Sequence, residues 1–447
     1  MSVSLFNNIK NHKKIISVYG LGNVGGSIAA VWLRSGAKVI GVDVSKKLLN
    51  DIKIGKSHKK EPFVSETFTK NLALGNFILS TDGIEASKNS HVKIISVPVG
   101  LIGKKVDLEI VKKVGKNIGL GLKKNDAVVL CPSVPPGTCE KILLPVLEKT
   151  SKLKGGKDFF LVYNPERIYE GRAIEDIEEN YPAIVAGLDE SSLKFGKELL
   201  SIISKKGVLE LSSIAAAEAE KIFEGVYRDV NIALANQLAD LSSKLGFNYW
   251  EARKAANSQP FCHLHYPGTG VGGFCIPVYP RFVIESGEKI GKSLELLKYS
   301  RDINDFMPKK CVKDALSMLT KYKKSKKDLK ITILGLGFRG DVTDSRLSPT
   351  YDVAKEFLRY GKVTIHDPFI FEDSNLPKNI TLTSSLTESL KNADLVFVST
   401  EHKMYQKLKT SSFSETKKPT LIFDGRNVLD RTKIQNAHIR VIGMPFD

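Results

Sequence analysis

Apolar positions along this chain alternate between short unbroken runs and longer stretches of helical spacing, and their order predicts an α/β protein. Residues 15–19, IISVY, read as a buried strand. The stretch NVGGSIAAVWLRSG follows at once with helical spacing and stops at Gly36, a residue suited to the left-handed turn that ends a helix. The next run, KVIGV, reads as a second strand and ends in Asp43. The same sequence of elements returns late in the chain. The strand-like ITIL at 331–334 is followed by the polar loop DVTDSRLS, a helix predicted to start at Ser348-Pro349, and a strand, KVTIH, ending in Asp367. Between the two ends, residues 213–245 form one helical pattern in which Ile222, Val226, Val230, Leu234, Leu238 and Leu241 recur every three or four residues. The pattern predicts two Rossmann-like domains joined by a long central helix, about 50 Å at roughly 1.5 Å per residue. Its apolar stripe suits a subunit interface, so a homodimer or larger homo-oligomer is expected.

Composition narrows the class. At 447 residues the chain is too long for one ordinary core. We expect a first domain over 1–210, a central helical domain over 211–310 and a third over 311–447. The five cysteines form an odd set without a CxxC pair, which argues against a disulfide framework and for a reducing, cytoplasmic setting. The opening MSVSLFNNIKNHKK lacks the apolar core of a signal peptide, and no apolar run is long enough to cross a membrane, so no membrane partner is expected. A net charge of +18 raises the question of nucleic acid. The lysines are scattered rather than gathered into an aromatic-studded stripe, so no nucleic-acid partner is expected; a positive field that gathers anionic small substrates is the simpler use of the charge.

Three motifs carry candidate chemistry. In GLGNVG, Gly20, Gly22 and Gly25 stand at GxGxxG spacing between a strand and a helix, with Asp43 at the end of the next strand. That is the context of a dinucleotide site: the pyrophosphate rests on the helix N-terminus and Asp43 binds the ribose hydroxyls, favouring NAD over NADP. The later GLGFRG repeats the spacing through Gly335, Gly337 and Gly340 without an immediate helix, so its loop is built for something other than a pyrophosphate. Arg339 and Arg346 in and after it suit a bidentate grip on phosphate or uracil-type groups, or are two solvated arginines. The third motif, GTGVGGFCIPVYP at 268–280, frames Cys275 with glycines and follows it with Pro277 and Pro280. Such a loop could present a nucleophile, although an isolated cysteine is more often a buried small hydrophobe. His263 and His265 nearby read as loop-packing or sugar-contact groups, and no metal site is expected.

Along nearly its whole length the chain resembles the UDP-glucose and UDP-N-acetylmannosamine dehydrogenase family. The segments that carry the resemblance are GLGNVG with Asp43, SVPVG at 96–100, PSVPPGT at 132–138, YNPERIYEGRAIEDI at 163–177, EAEKIFEGVYRDVNIALANQL at 218–238, GTGVGGFCIPVYP, LGLGFRGDVTDSRLSP at 334–349 and FDGRNVLD at 423–430. The NPER form at 164–167, followed by Gly171, is similar to the N-acetylhexosamine branch. The resemblance implies oxidation of a UDP-sugar C6 alcohol to a carboxylate with two NAD in succession, in the service of polysaccharide biosynthesis. Cys275 is implied as the nucleophile, Lys221 as the ammonium that stabilises an oxyanion, and Glu166 with Ser133 as the groups that organise water. Asn23, Val24, Pro98 and Ser133 are implied as further NAD contacts. Glu166, Arg167, Lys221, Gly268, Gly272, Gly273, Arg339, Arg346 and Arg426 are implied on the sugar-nucleotide side. Two positions depart from the family: Tyr279 stands where it has an Asp that serves as base or orients water, and Gly225 where it has an Asn that shares the oxyanion. Tyr279 is therefore a further catalytic candidate. A UDP-glucose 6-dehydrogenase and a nucleotide-sugar-binding or regulatory protein with impaired chemistry are the alternatives.

Overall fold

The computed structural model describes residues 3–58 and 61–446. Contacts divide the chain into two compact units, Met1–Glu224 with Arg281–Ile290, and Gly225–Pro280 with Gly291–Asp447.

The first unit is built on strands β1 (Ile16–Tyr19), β2 (Val39–Val42), β3 (Phe77–Ser80), β4 (Val92–Ile95), the short ribbon β5 (Gly100–Ile102) and β6 (Lys105–Asp107), then β7 (Ala127–Leu130), β8 (Phe160–Tyr163), β9 (Ala183–Gly187) and β10 (Val208–Glu210). Eight of them form one sheet in the order β10-β9-β8-β7-β4-β1-β2-β3, parallel throughout except between β8 and β9. Strands β1, β2, β4 and β7 are buried at every residue, as expected of parallel strands covered on both faces. The helix Asn23–Arg34 follows β1 directly and carries Ile28, Val31, Trp32 and Leu33 into the core. It ends before Gly36, which has φ +91°, as its position in the sequence predicts.

The second unit carries β11 (Leu329–Leu334), β12 (Gly361–His366), β13 (Ile380–Thr383), β14 (Leu395–Val398), β15 (Thr420–Asp424) and β16 (Ala437–Val441), all parallel, in the order β13-β12-β11-β14-β15-β16. The helix after β11 starts late, at Thr350, with the Ser348 hydroxyl accepting the Thr350 N–H at 3.2 Å. Both sheets reverse strand order beside their first strand. In such sheets ligands bind beyond the C-terminal strand ends at that switch point, where the sequence places its motifs.

The long helix runs Ile214–Leu245, and its residues from Gly225 onward belong to the second unit. There its apolar stripe behaves differently from the expectation. Leu234 and Leu241 are exposed, and the buried positions are Gly225, Asp229, Ala233, Ala235, Asn236, Ala239 and Ser242. Small residues allow close packing, and the polar pair is engaged across the gap from the helix Glu295–Lys321: Asn236 donates to Asn304, and Arg301 pairs with Oδ1 of Asp229.

Candidate active site

In the first unit the loop after β1 has the three glycine roles of a dinucleotide cradle. A β-carbon on Gly20, which has φ +89°, would lie 2.4 Å from the Ser96 carbonyl oxygen, and one on Gly25 would lie 1.9 Å from that of Gly20. Only hydrogen fits at either place. Gly22 has open space around it, and Gly22, Asn23 and Val24 are exposed at the start of a helix whose N-terminus lacks a side-chain cap. Its first N–H groups are therefore available to a pyrophosphate. Asp43 closes the cradle: its carboxylate accepts the Leu21 N–H at 2.8 Å and the Ser45 N–H at 2.8 Å while remaining partly exposed. Pro98 is exposed just beyond β4, and Ser133 lies beyond β7. These residues fit NAD.

Two buried carboxylates that the sequence analysis does not single out shape the loops around this cradle. Glu218, on the long helix, accepts the N–H groups of Gly137 and Cys139 and so ties down the turn that carries Ser133; burial pushes its carboxyl up to about 7. Glu61 accepts the N–H groups of Gly171 at 3.0 Å and Ala173 at 3.2 Å, pinning the segment that follows the NPER stretch. Glu166, just beyond β8, borders a small apolar cavity lined by Ile28, Trp32, Ile94, Val129 and Leu199. Burial there pushes its carboxyl up to about 7, against the pull of Lys221 and Arg167. Lys221 forms an ion pair with Glu224 at 3.2 Å and is mostly buried. Arg167 is engaged locally: it donates to the Pro182 carbonyl and lies 5.0 Å from the centre of the Tyr181 ring.

In the second unit the glycine loop lies against the segment 338–349. A β-carbon on Gly272 would lie 2.7 Å from the Leu347 carbonyl oxygen, and one on Gly273 2.9 Å from the Phe338 ring. The Gly273 N–H donates to the Arg346 carbonyl at 2.9 Å. One on Gly268 would lie 2.5 Å from a guanidinium nitrogen of Arg426, whose Nε donates to the Ser399 carbonyl at 2.8 Å. The Arg346 side chain is exposed, paired with Asp344 at 2.6 Å and set 5.5 Å from the centre of the Phe274 ring. Arg339 is partly buried in the loop after β11. This unit thus brings together Gly268, Gly272, Gly273, Arg346 and Arg426. Cys275 is exposed, and its carbonyl accepts the N–H groups of Val278 and Tyr279 as the chain turns into the helix Tyr279–Lys289.

The second glycine motif differs from the first in the way its delayed helix hints. Asp367 is fully buried, and its carboxylate accepts N–H groups from Leu336, Gly337, Phe369 and Ile370 and meets His402 Nε2 at 3.2 Å. No acceptor capacity is left for a ribose. Gly340 is hemmed in by Glu401, whose carbonyl oxygen would lie 2.1 Å from a β-carbon there.

Comparison with known proteins agrees with this division of labour. The NAD-binding-domain model of the UDP-glucose/GDP-mannose dehydrogenase family matches residues 14–204, its central-domain model 215–306, and its UDP-binding-domain model 332–431. A UDP-N-acetyl-D-mannosamine dehydrogenase of Methanococcus aeolicus is 32% identical over 440 residues, covering 96% of this chain and 95% of that protein. The Staphylococcus aureus protein CapL is 31% identical, covering 94% and 97%. Among solved structures, a UDP-D-ManNAc dehydrogenase from Pyrococcus horikoshii matches with a TM-score of 0.88 at 29% identity over 96% of this chain and 99% of that one. The UDP-N-acetyl-mannosamine dehydrogenase Cap5O of Staphylococcus aureus matches with a TM-score of 0.83 at 28% identity over 96% and 98%.

Proposed function

Because the chain belongs to the UDP-glucose/GDP-mannose dehydrogenase family, we propose that it oxidises the C6 alcohol of a UDP-N-acetylhexosamine, UDP-N-acetylmannosamine first, to the uronic acid. The observation that carries this reading is the exposed thiol of Cys275 in a loop whose glycines pack against the segment 338–349. On this reading residues 1–210 hold NAD, 211–310 present the thiol and 311–447 hold the UDP group.

The Gly20–Gly25 cradle and Asp43 would hold NAD, which would supply the two-electron hydride acceptor for each oxidation of C6. After the first oxidation Cys275 attacks the aldehyde carbon, forming a C–S bond and a thiohemiacetal. The second oxidation leaves a thioester, and water attacks its carbonyl, breaks the C–S bond and releases the carboxylate. Overall the alcohol and one water become a carboxylate and three protons, with four electrons leaving C6 as two hydrides. Lys221 stabilises oxygen charge in these steps, and Ser133 helps to orient the water. Glu166, with its carboxyl pushed up to about 7, suits proton transfer near neutrality. Arg339, Arg346 and Arg426 serve the sugar nucleotide. Arg167, held by Pro182 and Tyr181, supports the NPER loop.

We place the protein in the cytoplasm, where its five cysteines, all free, are chemically at home. The exposed Leu234 and Leu241 on the long helix support a homo-oligomer formed through that face. A nucleotide-sugar-binding protein without turnover is the second reading, favoured by Gly225 and Tyr279. The deciding experiment mixes the protein with NAD and a panel of UDP-sugars and counts NADH per sugar. Two NADH per UDP-N-acetylhexosamine are expected; nucleotide-sugar binding without NADH from any panel member would establish the second reading instead.

A further inference from the structure

The loop that presents Cys275 is attached at both ends to one face of one helix. At its start, the backbone N–H of Gly268 donates to Asn236 Oδ1 at 2.9 Å. At its end, the Tyr279 ring lies against Gly225, where an added β-carbon would be 2.5 Å from Tyr279 Cδ2 and 3.2 Å from Tyr279 Cβ. Positions 225 and 236 are eleven residues apart on the helix Ile214–Leu245. Eleven residues make about three turns at 3.6 per turn, so both attachment points share a face, about 16 Å apart. Between them Gly270 and Gly273 have φ of +130° and +88°, a backbone path that other residues adopt only with strain.

The first attachment is itself held by a buried polar chain. Asn236 is 2% exposed, and its Nδ2 donates to Asn304 Oδ1 at 3.0 Å, which turns its oxygen toward Gly268. Asn304 in turn donates to the Asp229 carboxylate and carbonyl, each at 2.9 Å, and Arg301 pairs with the same carboxylate. A buried, fully directed amide is a rigid support, because each alternative orientation would leave polar groups unpaired. The second attachment is steric. Tyr279 is 8% exposed, and its ring fits because position 225 has no side chain.

We propose that Asn236 and Tyr279 are positioning residues that clamp the two ends of the Cys275 loop to the long helix and so set where the thiol stands. This rests on the reading of Cys275 as the nucleophile. The first oxidation needs no thiol, whereas capture of the aldehyde needs one in place. Loosening either end therefore uncouples the two oxidations instead of weakening binding.

The test uses the full chain with Asn236→Leu, Asn236→Asp, Tyr279→Ala and Tyr279→Phe, and reads two quantities. One is backbone hydrogen exchange in the peptide spanning 268–279, which needs no turnover. The other is NADH formed per UDP-N-acetylmannosamine consumed, with free aldehyde trapped by a hydrazine. Asn236→Leu and Tyr279→Ala are expected to speed exchange by about tenfold, to lower NADH per sugar from two toward one with aldehyde appearing, and to leave KM for both substrates within about threefold. Tyr279→Phe keeps the ring and recovers both readouts relative to Tyr279→Ala. Asn236→Asp keeps an acceptor for the Gly268 N–H, so it recovers part of the protection even if Asn236→Leu does not fold. Unchanged exchange and unchanged coupling in Tyr279→Ala would overturn the clamp, as would a Tyr279→Phe variant as uncoupled as the alanine. If the wild-type chain makes no NADH from any UDP-sugar, the dehydrogenase reading fails and the exchange measurement alone decides the clamp.

Discussion

The Tyr279 ring occupies the space in which a side chain at position 225 would begin, leaving only 2.5 Å between Cδ2 and a β-carbon placed on Gly225. The two departures from the family pattern are therefore one matched pair. Gly225→Ala gains helix propensity worth about 1 kcal/mol, yet forces an aromatic ring in a packed site to move, at a cost of about 1–3 kcal/mol. We expect net destabilisation for Gly225→Ala and more for Gly225→Asn. In a Tyr279→Ala background Gly225→Ala should become neutral or stabilising. Denaturant melts of the four members of this cycle measure the coupling, and additive effects would show that the ring and position 225 are independent.

Asp43 should set cofactor choice. Its carboxylate stands at the end of β2 where a 2′-phosphate would meet like charge, so NAD should bind at least tenfold tighter than NADP, about 1.4 kcal/mol. Asp43→Ala should narrow that ratio. Equal affinities of the wild type for the two cofactors, by titration, would remove Asp43 from this role.

Cys275→Ser should retain binding of NAD and UDP-sugar and lose carboxylate formation, because a hydroxyl at neutral pH is a far weaker nucleophile than a thiolate. NADH should not exceed one per sugar. Undiminished uronic acid from this variant would eliminate the thioester route.

Glu166 should make stability fall as pH rises. Its carboxyl is pushed from an ordinary 4.5 to about 7 by burial, so its contribution is fully present below about 4.5 and is lost as pH climbs through 7. Glu166→Gln removes that loss. The variant's stability relative to wild type should grow between pH 4.5 and 7 and then level off, by up to about 3 kcal/mol at 1.36 kcal/mol per unit. Glu218, raised by burial to the same value, acts with the same sign and leaves a slope in the variant. Parallel pH–stability curves for variant and wild type would place the Glu166 carboxyl in water.

Much of the architecture was legible in the order of residues, because strand, glycine turn, helix and strand are each decided within a few positions. Gly20, Gly22 and Gly25 announced the first cradle, and Ser348-Pro349 announced the delayed helix of the second unit. The long helix was placed to within a residue. Its faces were not: Leu234 and Leu241 look like core residues by periodicity but are exposed, while Asp229 and Asn236 look like surface and are buried. The polar pair goes inside only because Arg301 and Asn304 arrive from a distant helix to pair with it.

The two acids that end second strands show the same limit. Asp43 and Asp367 stand in equivalent local sequence, yet Asp43 remains partly exposed while Asp367 is surrounded by four backbone N–H groups and His402. Local sequence determined that each acid would end a strand beside a glycine turn. Which of them is left open to a ligand depended on how the glycine turn before the acid and the segment after it fold onto the carboxylate, with His402 added from a later loop, and hydrogen-bond capacity taken up inside the protein is decided only when the tertiary structure closes around it.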